Sequence, residues 1–252
     1  MGKKGAKKRK LEMAVAQIHR RFGSRALVKG RPAAPVVPHI STGFPELDGA
    51  LEIGGLPAGK VSEILGLPTS GKTTLALKFL AQAQAGGGEV AYVDQARYFD
   101  PDYAYRCGLD LSHLLVGTPY SAQEALAMTE ALARNGGLAA LVFDAMELFW
   151  LDPEAVRGLT AMLNRLSSPL ARSGTALVFL HTVSSPDMPA LSALAHYAAV
   201  RLQVVREHWI RRHEEVRGYA ARVEVLKNRF GPGGRSANFK IEFNGTVRGN
   251  GL

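Results

Sequence analysis

Apolar positions recur along this chain with two periods, and the switches between them divide it into elements. Leu11, Val15, Ile18 and Phe22 fall on one face of a helix that Gly23 ends. Ala26, Leu27 and Val28 have the form of a short strand. Pro32, Pro35 and Pro38 forbid regular structure, so the stretch up to residue 38 reads as a linker. Beyond it, short and nearly continuous apolar runs stand at Lys60–Leu65, Glu89–Asp94, His113–Gly117, Ala139–Asp144 and Thr175–His181. Helical patterns separate them at Lys72–Ala85, Pro101–Cys107, Ala122–Arg134 and Pro153–Arg172. Continuous apolar strands alternating with helices predict a parallel sheet covered on both faces. After Ala195 the rhythm changes. Ala198–Arg206, Tyr219–Phe230 and Asn238–Phe243 are strand-like, with connections too short for helices. The expected fold is α/β, a mostly parallel sheet flanked by helices with an antiparallel C-terminal extension.

The first strand–helix junction carries chemistry. Gly66, Leu67, Pro68, Thr69, Ser70, Gly71, Lys72 and Thr73 match the phosphate-binding G-x-x-x-x-G-K-[ST] loop, with Thr74 following in the helix. Gly66 lets the chain turn off the strand, and Gly71 lets the backbone approach a phosphate with no side chain between. Backbone N–H groups and the helix N-terminus then surround an anion with donors. Lys72 supplies a full charge at the β- and γ-phosphates, and the Thr73 hydroxyl suits Mg²⁺. Such a site also needs a carboxylate at a neighbouring strand end. Asp144, closing the run LAALVFD, has that form; a helix-capping aspartate is the plainer alternative.

Composition narrows the class. The 252 residues hold 46% hydrophobic side chains, enough for one sizeable core. No run of about 18 uncharged apolar residues occurs, so no membrane span is expected. One cysteine, Cys107, excludes an intrachain disulfide and a cysteine-cluster metal site, and a cytoplasmic protein is the simple reading. The net charge of +9 is uneven. Lys3, Lys4, Lys7, Lys8, Arg9 and Lys10 put six cations and no acid in residues 1–10, and residues 201–252 hold eleven cations against five acids. Two basic ends around a slightly acidic body suit a polyanion such as DNA; a solvated charged tail is the bland alternative. Residues 1–10 are expected to be a disordered basic tail. Residues 11–38, helix, strand and linker, cannot easily bury their own apolar faces, and docking on another copy would solve that. Residues 39–252 form the nucleotide-binding core.

The string STGFPELDGALEIGGLPAGKVSEILGLPTSGKTTLAL resembles the core signature of the bacterial RecA recombinase family. The likeness continues through VAYVDQARYFDPDYAYRCGLDL, Asp144 and VEVLKNRF, and LEMAVAQIHRRFGSRALVKG is similar to the family's N-terminal helix and polymerisation strand. The resemblance implies a RecA-like P-loop NTPase core with ATP and Mg²⁺ as cofactors. It places Asp100 and Tyr103 against adenine. Lys227 and Arg229 lie at the two cations that reach a neighbouring subunit's γ-phosphate; by sequence alone they are two charges on one face of a strand.

Departures from the family pattern matter as much. Ala96 stands where the family carries its water-orienting glutamate, and a methyl group cannot polarise water. Thr182 replaces the glutamine that senses the γ-phosphate, and the neighbouring His181 reads as a strand-end residue before a base. The segment Ser184–Pro189 holds no aromatic or cation for stacking bases. The resemblance therefore implies an ATP-binding, DNA-binding repair protein, with single-stranded DNA as partner and weak or no hydrolysis. It would assemble with itself or with a RecA-type recombinase, as in the ImuA-like accessory paralogues that serve damage-induced translesion polymerases. The alternatives are a competent DNA-dependent recombinase, with a carboxylate such as Glu147 substituting, and a P-loop kinase or signalling ATPase.

Overall fold

The computed structural model describes residues 3–24, 26–27, 36–144, 152–183, 189–213 and 215–242. The chain divides into two compact units, 1–36 and 37–252.

In the first unit, helix α1 (Lys3–Phe22) carries the amphipathic pattern back through the basic residues. Residues 3–10, expected as part of a basic tail, continue this helix. Lysine, arginine and alanine are strong helix formers, and neither proline nor a β-branched residue interrupts them before Val15. Gly23, at φ 87°, ends the helix by donating its N–H to the His19 carbonyl at 2.9 Å. Leu11, Met13 and Phe22 are each about two-thirds exposed. Ala26 and Leu27 form a bend; Val28, with most of the linker, lies outside the described residues.

The second unit is built on an eight-stranded sheet. Its strands are β3 (Val61–Gly66), β4 (Glu89–Asp94), β5 (Leu114–Gly117), β6 (Leu138–Asp144), β7 (Ala176–Thr182), β8 (Val200–Arg212), β9 (Glu215–Asn228) and β10 (Ser236–Glu242). They lie in the order β10-β9-β8-β3-β7-β6-β4-β5. From β5 across to β8 all neighbours are parallel, and β9 and β10 turn back antiparallel. Strand β8 thus belongs to both parts, and its last residues and the first of β9 form a long exposed hairpin. A small pair, β1 (His39–Ile40) and β2 (Leu56–Pro57), and helix α2 (Pro45–Leu51) precede the sheet. The Asp48 carboxylate holds that entry together, accepting from the Ser41 and Thr42 hydroxyls at 2.5 and 2.7 Å.

Alternation along the strands feeds two cores, one on each face. Helix α3 (Lys72–Ala85) packs its Leu75, Phe79 and Leu80 against Ile64, Val90, Tyr92, Val142, Val178 and Val204. On the other face, α5 (Ala122–Asn135) and α6 (Pro153–Ser173) cover Ala91, Val93, Leu141, Phe143 and Phe179 with Leu159, Met162, Leu163 and Leu166. Every residue of β3 is buried, which is why its sequence lacks a polar stripe. Each large apolar side chain enclosed this way contributes roughly 1.5–3 kcal/mol. The helix ends are written locally. Ser121 and Asp152 accept N–H groups of the first turns of α5 and α6, and Gly136 and Gly174 close them in the left-handed conformation. Among the described residues no helix is long and apolar enough to cross a membrane.

Candidate nucleotide site

Strand β3 delivers the loop from Gly66 to Gly71 at the C-terminal edge of the sheet, and α3 begins at Lys72. Both glycines are demanded by their surroundings. A Cβ on Gly66 would stand 2.3 Å from Ser70 Oγ and 2.7 Å from the Val204 carbonyl. Gly71 has φ 105°, and a Cβ there would meet Ile241 at 3.0 Å and the Tyr219 hydroxyl at 3.2 Å. Thr69 holds a left-handed φ of 60°, with its hydroxyl accepting from Arg206 Nη1 at 2.8 Å. No side chain caps the first turn of α3, and Ser70 Oγ is buried with no partner among the described residues. Uncapped N–H groups, an unmatched buried hydroxyl, Lys72 and Thr73 at the helix start make a cradle whose chemistry fits a phosphate chain.

The residues expected at the base lie against that cradle. Helix α4 (Pro101–Arg106) starts at Asp100, whose Oδ1 accepts the Tyr103 N–H at 3.0 Å. The Tyr103 hydroxyl is 2.6 Å from Thr74 Oγ1, which fastens α4 to the first turn of α3. Burial pushes the Tyr103 phenol far up, so it remains a neutral hydrogen-bonding group. The Asp100 carboxylate is therefore already committed to capping, and the adjoining tyrosine is fixed before any ligand arrives.

Asp144 closes β6 next to Asp94 at the end of β4, and the two residues are register partners. The Tyr92 hydroxyl donates to Asp144 Oδ2, and the Gln95 N–H reaches the Asp144 carbonyl at 3.3 Å. The Tyr92 phenol is pushed well above its ordinary range, first by burial and then by the neighbouring Asp144 and Asp94 charges, so it stays a donor. Asp94 Oδ2 accepts the Phe99 N–H at 2.7 Å, whereas Asp94 Oδ1 and Gln95 Oε1 are buried without partners among the described residues. Polar atoms left unmatched at a strand end beside the cradle mark a place built for a further group. No group of three His, Cys, Asp or Glu is assembled among the described residues. A divalent ion at Thr73 and Asp144 therefore needs phosphate oxygens and water to complete its shell.

Ala96 sits in the loop after β4, and Arg97 beyond it takes φ 61° and stacks its guanidinium 4.4 Å from the Tyr120 ring centroid. Thr182 ends β7 beside the loop, where the Val183 N–H donates to the Gly66 carbonyl at 3.2 Å. His181 is fully buried against Glu63, with Nδ1 and Oε1 3.2 Å apart, and Arg201 donates to the other oxygen of Glu63 at 2.6 Å. That buried set ties β3, β7 and β8 together behind the cradle and agrees with a structural His181. Glu147 and residues 184–188 lie outside the described residues.

Lys227 and Arg229 do share one face of the chain, and both address the last carbonyls of α7 (Pro189–Tyr197). Lys227 Nζ donates to Ala195 at 2.6 Å and His196 at 3.2 Å, and Arg229 Nη2 donates to His196 at 2.5 Å. In the single chain these cations cap a helix C-terminus. Burial lowers the Lys227 pKa first, and the nearby Arg229 and Arg201 lower it further. In the first unit, Lys7, Lys8, Arg9 and Lys10 are exposed on α1, which also contains Lys3 and Lys4.

Arg206 and Tyr92 are the site residues that sequence reasoning missed. Arg206 follows an apolar run and reads as a surface cation, and Tyr92 reads as core. Only the pairing of β8 with β3, and of β4 with β6, brings them to Thr69 and Asp144.

The family model for the RecA N-terminal domain matches residues 9–248. The chain is 35% identical over 263 residues to Protein RecA of Caulobacter vibrioides (strain NA1000 / CB15N), covering 95% of this chain and 73% of the relative. It is 34% identical over 258 residues to Protein RecA of Clostridium perfringens (strain 13 / Type A), covering 93% and 73%. To Protein RecA of Rubrobacter xylanophilus it is 36% identical over 261 residues, covering 94% and 75%.

Proposed function

This chain belongs to the RecA family, and we propose on that premise that it is an ATP- and Mg²⁺-binding, DNA-binding protein of recombination and repair. In this reading it assembles with itself or a RecA-type recombinase and hydrolyses ATP slowly or not at all. The observation that carries the nucleotide reading is the preformed cradle, with the buried Ser70 hydroxyl unmatched and the first turn of α3 uncapped. Lys72 and the backbone N–H groups of Gly71 to Thr73 hold the triphosphate. Thr73 and the Asp144 carboxylate would hold a divalent ion and its water, and that ion would supply charge neutralisation at the phosphates. Asp100 and Tyr103 border adenine.

Ala96 carries the second half of the reading. The residue 96 side chain has no atom that accepts a proton or orients a water, so binding outlasts chemistry and nucleotide acts as a bond between subunits. Lys227 and Arg229 would meet a neighbour's γ-phosphate by exchanging helix carbonyls for phosphate oxygens. Self-association has a surface to use: β5 is an edge strand, with Leu115 and Val116 about half exposed, and such an edge accepts a strand from another copy. The exposed Leu11, Met13 and Phe22 of α1 suit the same purpose. Lys3, Lys4, Lys7, Lys8, Arg9 and Lys10 supply phosphate contacts to single-stranded DNA. Slow turnover with retained binding suits an accessory role in the cytoplasm, in damage-induced translesion synthesis beside a polymerase.

ATP turnover measured with and without single-stranded DNA, alongside binding of a fluorescent ATP analogue, tests the reading. Tight binding that Lys72→Ala abolishes, with little turnover, is the expected outcome. A DNA-stimulated rate of a competent recombinase would overturn the accessory role, and unimpaired binding by Lys72→Ala would overturn the cradle.

A further inference from the structure

Tyr92 is among the largest side chains fully enclosed in the protein, at 1% exposure, yet it carries a hydroxyl. A phenylalanine would fill the same space between β4 and α3 without requiring a partner. The hydroxyl finds its acceptor in Asp144, one strand away, the carboxylate that the nucleotide reading assigns to the metal. A buried phenol spent on a strand-end carboxylate has a directional consequence: it fixes the rotation of that carboxylate about its Cβ–Cγ bond.

We propose that Tyr92 is a positioning residue for the Mg²⁺ shell, holding Asp144 Oδ2 so that the carboxylate meets the metal's water in one orientation. This rests on the nucleotide reading above and deepens it. The surroundings hold the phenol in turn. The Phe99 ring lies 5.1 Å from the Tyr92 ring, and the Phe99 N–H is bonded to Asp94 Oδ2. Phe99 immediately precedes Asp100, the cap of α4. One continuous set of contacts therefore runs from the segment bordering the base, through the two rings, to the carboxylate of the metal site. Partners that orient a group around a metal typically change metal affinity by about 10- to 100-fold when removed. Asp144 acts here through water, so the lower end applies.

The test uses the full chain and the Tyr92→Phe variant, which keeps the ring and removes one oxygen. A fluorescent ATP analogue is titrated first in EDTA, then at fixed concentration against Mg²⁺, with thermal unfolding recorded in parallel. The expected result is unchanged binding in EDTA and a roughly tenfold rise in the Mg²⁺ concentration at half-saturation. In an Asp144→Asn background the same substitution should leave the Mg²⁺ midpoint where it is, because the anionic oxygen that the phenol orients towards the metal is gone. A Tyr92→Phe midpoint within twofold of the parent overturns the proposal, as does an equal shift in the Asp144→Asn background. A lowered melting temperature with unaltered Mg²⁺ dependence assigns Tyr92 to packing alone and also overturns it. Failure of the parent chain to bind the analogue at all strikes the nucleotide reading itself, and the parental titration distinguishes that outcome from the others.

Discussion

Replacing Gly71 with alanine separates what the loop costs from what it does. Gly71 sits at φ 105°, and a left-handed backbone costs an L-residue roughly 1–2 kcal/mol. The new methyl would also press on Ile241 at 3.0 Å and the Tyr219 hydroxyl at 3.2 Å. Crowding of this kind in a packed region adds about 1 kcal/mol or more. Gly108 supplies the control. Its φ is 97°, nearly the same, but the nearest atom to an added Cβ is Ala81 Cβ at 3.8 Å, an ordinary contact. Gly108→Ala therefore carries the strain without the crowding, some distance along the chain from the loop. In a chain of this size 1 kcal/mol moves the melting temperature by about 2–4 °C. Gly108→Ala should melt about 3–6 °C low and Gly71→Ala about 5–10 °C low. The functional split should be sharper. Moving the backbone at residue 71 loses at least one charge-assisted hydrogen bond to phosphate, worth about 1.5–3 kcal/mol. That corresponds to a dissociation constant for an ATP analogue at least about 10-fold weaker. Gly108→Ala should bind as the parent does. Calorimetry and a fluorescence titration on the two variants read both quantities. If Gly71→Ala binds the analogue within twofold of the parent, the loop does not wrap the phosphates and the reasoning fails. If the two variants melt alike, the crowding at Ile241 and Tyr219 is not felt.

Two further outcomes follow from the charges and from residue 96. Deleting residues 1–10 removes six cations, so the log–log salt slope for single-stranded DNA should become shallower by up to about 4; an unchanged slope makes the segment a solvated appendage. Ala96→Glu returns a carboxylate to the loop after β4 and should raise DNA-stimulated turnover by about tenfold or more, towards the range of about 10²–10⁴ that positioned acid–base groups supply. Because Thr182 stays in place, the gain should fall short of the full range, and a flat rate would show that residue 96 does not face the attacking water.

The elements of the parallel core were legible because buried strands and amphipathic helices write strong patterns. The stretches at 89–94 and 72–85 have the same limits in the structure as their apolar runs gave. Short or atypical pieces were not. Helix α2 carries three buried residues in seven, with Asp48 bonded back to Ser41 and Thr42, and at about two turns it is too short for its apolar spacing to stand out. Helix α7 is apolar throughout most of its length and reads equally as a loop or a strand. The role of β8 depends on which strand it joins, and pairing is a non-local choice. The helical form of residues 3–10 left no apolar trace, because these residues extend by propensity a helix begun by the apolar stripe.

At the site the same division holds. The loop was legible because phosphate chemistry constrains backbone, and a backbone constraint appears in sequence as glycine at fixed spacing. What surrounds it was not, because Arg206 acts from β8 and Tyr92 and Asp94 act from β4, and only strand pairing brings them to the loop and to Asp144. Their combined effect bears on the central inference. Arg206 holds Thr69, Tyr103 holds Thr74, Tyr92 holds Asp144, and Lys227 with Arg229 hold the end of α7. Each tie stiffens a part that would meet nucleotide or a neighbouring subunit, while the position that would activate water carries only a methyl group. If residue 96 faces the attacking water, a site so braced should lose bound nucleotide by dissociation faster than by hydrolysis.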